Sequence, residues 1–60
     1  MTPEEFKKEM LYAQNIRRTD GRFDQEYAHR YMDRLMCDLL RELGYGEGVE
    51  IFEDTPKWYA

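Results

Sequence analysis

Asp24–Gly44, DQEYAHRYMDRLMCDLLRELG, carries the longest unbroken periodic signal in the sequence. At about 100° per residue, Ala28, Met32, Leu35, Leu39 and Leu43 fall on one line, with Tyr31, Met36 and Leu40 beside it. This predicts one amphipathic helix. Its apolar arc is wider than a coiled-coil seam and suits a helix packed by two neighbours. Arg30, Arg34 and Arg41 form a basic stripe on the other side. His29 and Asp33 stand one turn apart where the two faces meet. Asp24 is placed to cap the helix by accepting from first-turn amides, and Phe23 and Ala28 are spaced as a weak hydrophobic staple. Gly44 is placed to end it in a left-handed conformation.

Working outward, Thr2-Pro3-Glu4-Glu5 is a helix start: a cap, a proline at the first helical position, and a glutamate that closes a capping box. The predicted helix runs to about Arg18. Phe6, Met10, Ala13 and Arg17 share a face, whereas Leu11 and Tyr12 point elsewhere and are candidates for a subunit interface. Thr19-Asp20-Gly21-Arg22 is the turn between the long helices. Asp-Gly also favours a β-hairpin, but the helical periodicity of both flanks argues for two antiparallel helices instead. Beyond Gly44, the glycines at 44, 46 and 48 permit a sharp reversal. Val49–Phe52 alternates like a strand, yet no partner strand exists, so a short helix over about 47–54 is expected, stopped by Thr55-Pro56. The expected fold is all-α: an antiparallel helical hairpin (about 3–18 and 25–43) plus a third helix (about 47–54), one domain over 1–60, assembled as an oligomer.

Composition bounds the function. A 60-residue chain buries only about 60% of its unfolded surface. With one cysteine there is no internal disulfide, and no Cys/His cluster provides a metal staple. Yet 42% of residues are hydrophobic and 15% aromatic. A core shared between copies is the natural outlet, so a homodimer or homotetramer is expected. The net charge of −4 argues against general DNA or RNA binding. The charges are segregated, with six arginines between Arg17 and Arg41 and only acids from Glu42 to Asp54, which leaves room for a local anion site. No signal peptide or membrane-spanning run is present, a lone cysteine fits a reducing cytoplasm, and the initial Met fits a complete small gene product.

Candidate chemistry is sparse. His29 and Asp33, at i and i+4, can orient a proton or offer two metal ligands, but a third ligand is missing. A local pair or a ligand hydrogen bond is the better reading. Cys37 lacks an activating neighbour and reads as a small, partly buried filler. The glycines match no phosphate loop. Trp58 and Tyr59 can pack back on the core, line a subunit interface or stack on a planar ligand. With the central arginines they supply both halves of a nucleotide site: stacking for the base and guanidinium forks for phosphate.

The second half of the chain carries the pattern A-H-x-x-x-D-x-L-x-x-x-L-L-x-x-L-G-Y, then V-x-x-F, then K-W-Y-A. Its positions here are Ala28, His29, Asp33, Leu35, Leu39, Leu40, Leu43, Gly44, Tyr45, Val49, Phe52 and Lys57–Ala60. This resembles a family of very small proteins encoded by bacteriophages and prophages, many of gut bacteria, with which no enzymatic activity is associated. A short phage protein without a catalytic constellation in turn resembles the inhibitors used against host defence, including oligomeric sponges of the anti-CBASS type that sequester cyclic nucleotide signals. The resemblance implies a non-enzymatic, cofactor-free homo-oligomer in the cytoplasm of an infected bacterium, binding a cyclic di- or oligonucleotide at subunit interfaces. Arg17, Arg30 or Arg34 would hold phosphates, His29 and Asp33 a base or ribose, and Trp58 and Tyr59 would stack. The alternative is a protein–protein inhibitor or adaptor of anti-CRISPR type whose acidic C-terminal half mimics nucleic acid. An enzyme is third.

Overall fold

The computed structural model of the chain describes residues 1–57; Trp58, Tyr59 and Ala60 lie outside the described residues. Three helices follow in order: α1 (Pro3–Gln14), α2 (Gln25–Glu42) and α3 (Gly46–Asp54). The all-α expectation holds, and Val49–Phe52 is helical.

Local chemistry sets most boundaries. At the start of α1 the Thr2 amide donates to Glu5 Oε1 at 2.7 Å and the Glu5 amide donates to Thr2 Oγ1 at 3.1 Å, closing the capping box. These hydrogen bonds hold the Glu5 carboxyl below its ordinary pKa. Asp24 Oδ1 accepts from the Tyr27 amide at 3.0 Å and caps α2. At the other end of α2 the Tyr45 amide reaches the Leu40 carbonyl at 2.9 Å and the Gly44 amide reaches that of Arg41 at 3.0 Å. This is a Schellman closure with Gly44 at φ +95°. Gly44 alone makes the reversal; Gly46 and Gly48 are taken up into α3.

The end of α1 departs from expectation. The helix stops at Gln14 rather than near Arg18. Asn15 terminates it, its side-chain amide donating to the Leu11 carbonyl at 2.8 Å. The Asp-Gly signal then prevails over helical periodicity. The Arg18 amide donates to the Arg22 carbonyl at 2.7 Å and that of Asp24 to Ile16 at 2.9 Å, with an isolated antiparallel bridge between Arg17 and Phe23. Thr19-Asp20-Gly21 is a three-residue loop in which the Gly21 amide closes on the Arg18 carbonyl at 2.9 Å. Gly21 sits at φ +86°, where this loop type demands a left-handed residue. Asp20 Oδ1 locks it by accepting from the Arg22 amide at 3.0 Å. The connector is a miniature β-hairpin, one residue pair long.

The three helices form a single layer with α2 in the middle. Toward α1, the Tyr31 ring of α2 packs against that of Tyr12 at a 57° tilt, 5.3 Å between centroids, and its phenol donates to Glu9. Toward α3, Arg41 pairs with Glu53. The buried residues among those described are small: Ala13, Ala28, Cys37 and Val49. Ala28 and Cys37 are nine residues apart, which at about 100° per residue sets them on opposite flanks of α2. The Cα trace measures 39 × 30 × 11 Å. Two stacked helix layers need about 8–10 Å between axes in addition to the backbone's own ~4.6 Å width, so the fold is one layer thick. Its radius of gyration, 12.9 Å, exceeds the ~10.4 Å of a compact chain this long.

Candidate functional site

A layer of three helices has two faces, and here they differ chemically. Arg30, Arg34, Asp38 and Arg41 recur on one side of α2, and Met32, Met36, Leu40 and Leu43 on the other. The charged side carries an open cleft of about 800 Å³ along the α2–α3 seam. Arg30, Asp33, Arg34, Cys37, Asp38 and Arg41 form the α2 wall, and Phe52, Glu53 and Thr55–Lys57 the other. Glu26 closes the N-terminal end of the α2 wall.

Among the described residues four cations and four carboxylates line this cleft, so their formal charges cancel. What matters is which cations are already committed. Arg30 pairs with Glu26 at 2.8 Å, one turn earlier on α2. Arg41 bridges Asp38 at 3.4 Å and Glu53 across the seam. The Lys57 ammonium donates to the Glu53 and Thr55 carbonyls at 3.2 and 2.6 Å and lies 4.4 Å from the centre of the Phe52 ring. Arg34 alone of the stripe forms no ion pair among the described residues. Its guanidinium is the group that can meet an incoming anion without first releasing a partner.

One thiol lies on the α2 wall of the cleft. Cys37 is 4% exposed, and burial pushes its thiol pKa up, away from the thiolate needed for nucleophilic chemistry. Among the described residues, no three His, Cys, Asp or Glu side chains stand close enough together to hold a metal ion. No helix among the described residues is long and apolar enough to cross a membrane.

Of the residues singled out from sequence, the structure brings Arg30, Asp33 and Arg34 together in the cleft. Arg17 is not part of it. Because α1 ends early, Arg17 falls in the connector, its guanidinium 5.8 Å from the centre of the Phe23 ring. His29 does not line the cleft; it and Asp33 each have an interaction partner. Trp58 and Tyr59 lie outside the described residues. Arg41, Glu53 and Lys57 were missed. Arg41 was visible as the third member of the basic stripe. Glu53 and Lys57 depend on how α3 returns to α2, which periodicity does not encode.

The opposite face has a smaller groove of about 360 Å³ between the same two helices. It is lined mainly by Met36, Leu40, Tyr45, Val49 and Phe52, with Asp33 at its polar edge. Comparisons of the chain with protein-family models, with curated proteins and with solved structures find no match.

Proposed function

We propose that this protein is a non-catalytic, phage-encoded anti-defence factor that binds and sequesters a cyclic nucleotide immune signal without cleaving it. It acts in the cytoplasm of the infected bacterium as a homo-oligomer, with α1 and α2 as an antiparallel pair. The observation that carries this reading is the row Arg30–Arg34–Arg41 along one wall of a cleft, with Arg34 in no ion pair among the described residues. Arg34 takes a phosphate directly, and Arg30 exchanges Glu26 for the ligand at little cost, since exposed pairs are worth only about 0–1 kcal/mol. The Asp33 carboxylate, on the α2 wall of the cleft, accepts from a base amine or a ribose hydroxyl. Trp58 and Tyr59 follow Lys57, a cleft residue, in sequence and stack on a base. Sequestration needs tight binding and no proton transfer, which fits a cleft whose one thiol is buried and protonated.

A second reading, a phage protein–protein inhibitor or adaptor, is favoured by the exposed apolar side chains of the opposite face. One experiment separates the two. The protein is mixed with a panel of cyclic di- and trinucleotides, re-isolated and heat-denatured, and the released nucleotide is analysed by chromatography and mass spectrometry. Recovery of an intact cyclic species supports sequestration. A linear product would make the protein an enzyme. No retained nucleotide, together with stoichiometric capture of one host protein, would favour the inhibitor.

A further inference from the structure

The apolar face is the largest feature that nucleotide binding leaves unexplained. Met36, Leu40, Leu43, Tyr45 and Phe52 are all exposed, Leu43 to 71%. Met36, Leu40 and Leu43 recur along one side of α2 at helical spacing, and Tyr45 and Phe52 border the groove from the α3 side.

We propose that a second copy of this chain packs on this face, so that the molecule is an isologous dimer, two helical layers thick, with its charged clefts turned outward. This deepens the homo-oligomeric part of the reading above and rests on it, but not on the identity of any ligand.

Three observations select a second copy. The first is area. The chain exposes 5122 Å², whereas a folded chain of 7.4 kDa exposes about 4,200 Å². The surplus of about 900 Å² is close to the ~800 Å² that each partner contributes to a standard stable interface. The second is architecture. A helical layer must bury its apolar side against another layer, and the described chain supplies only one. The third is charge. A chain of net charge −4 resists self-association wherever its charged surfaces oppose each other. On this face Arg30, Arg34, Asp38 and Arg41 point to the other side of α2, so two copies meet apolar to apolar. Two-fold pairing of the face with itself needs no second patch.

The arrangement also relocates the ligand site. With the apolar faces joined, each cleft stays within one chain and opens to solvent, giving two sites per dimer rather than one at the subunit boundary.

Sedimentation equilibrium of the full chain tests this. The expected mass at tens of micromolar is twice 7.4 kDa, and the thermal midpoint rises by about 5 °C per tenfold increase in concentration. Leu40→Lys combined with Leu43→Lys brings the mass to that of one chain; positive charge suits the C-terminal end of α2, so helix formation is not what is lost. Arg34→Ala, on the opposite face, keeps the dimer. A wild-type mass of one chain with a concentration-independent midpoint would overturn the proposal, whether Trp58–Tyr59 or a host protein covers the face instead. A dimer that survives the double lysine variant, or that Arg34→Ala dissociates, would overturn it as well. A dimer that binds no nucleotide would leave it standing and remove only the ligand reading.

Discussion

Ala28 and Cys37 are buried on opposite flanks of α2, Ala28 on the side that meets α1 and Cys37 on the side that meets α3. Two small residues nine positions apart make α2 the middle member of a flat layer. Ala28→Leu overpacks the α1 seam and should lower stability by about 1–3 kcal/mol in denaturant titration. At the other flank, the Cys37 thiol is shielded and its pKa raised. Its reaction with an aromatic disulfide at neutral pH should be at least about tenfold slower in the native protein than in urea. Equal rates would mean that α3 does not stay on α2.

The Tyr31–Glu9 hydrogen bond ties α1 to α2 and gives the protein an alkaline limit. Donation to the Glu9 carboxylate pushes the Tyr31 phenol up to about 12. In the unfolded chain it titrates near about 10. A group whose pKa is raised by folding stabilises fully below its unfolded value and loses that contribution as pH climbs through the folded one. Unfolding free energy should therefore hold below about pH 10 and fall between about 10 and 12. Tyr31→Phe should be less stable at pH 8 and lack that component of the alkaline decline. Parallel curves for the two proteins from pH 8 to 12 would contradict the assignment.

Gly44 and Gly48 predict opposite responses to the same substitution. Gly44 holds φ +95° in the closure of α2, so Gly44→Ala forces a left-handed alanine and should cost about 1–2 kcal/mol. Gly48 is inside α3, and a Cβ there meets nothing within 4 Å. Gly48→Ala should stabilise by about 0.5–1 kcal/mol through helix propensity. Because Gly48 borders the apolar groove, a loss of stability there would place a neighbour's backbone against it.

What the sequence disclosed follows the range of the interactions. The caps at Thr2 and Asp24 and the glycine closure at Gly44 are contacts between residues three to five apart, and all were legible. So was Cys37 as a filler, since its type and surroundings offered it no activation. The end of α1 was misjudged because Ile16 and Arg17 continue a helical pattern that Asn15 and the Asp20-Gly21 loop override. That error carried Arg17 into the expected site, whereas the fold sets it against Phe23. Arg41 and Glu53 are twelve residues apart, and only the angle of α3 joins them. The apolar arc of α2 was recognised as too wide for one short neighbour. Its surplus faces neither α1 nor α3 but outward.

Titration calorimetry shows whether Arg34 anchors an anion in the α2–α3 cleft. Wild-type protein, Arg34→Ala and Arg17→Ala are titrated with the cyclic nucleotide that the panel retains. With Arg34 as the anchor, the titrations give one ligand per chain, a loss of about tenfold to a hundredfold in affinity for Arg34→Ala, and unchanged affinity for Arg17→Ala. Equal binding by wild type and Arg34→Ala, or a loss for Arg17→Ala as large as for Arg34→Ala, would contradict it.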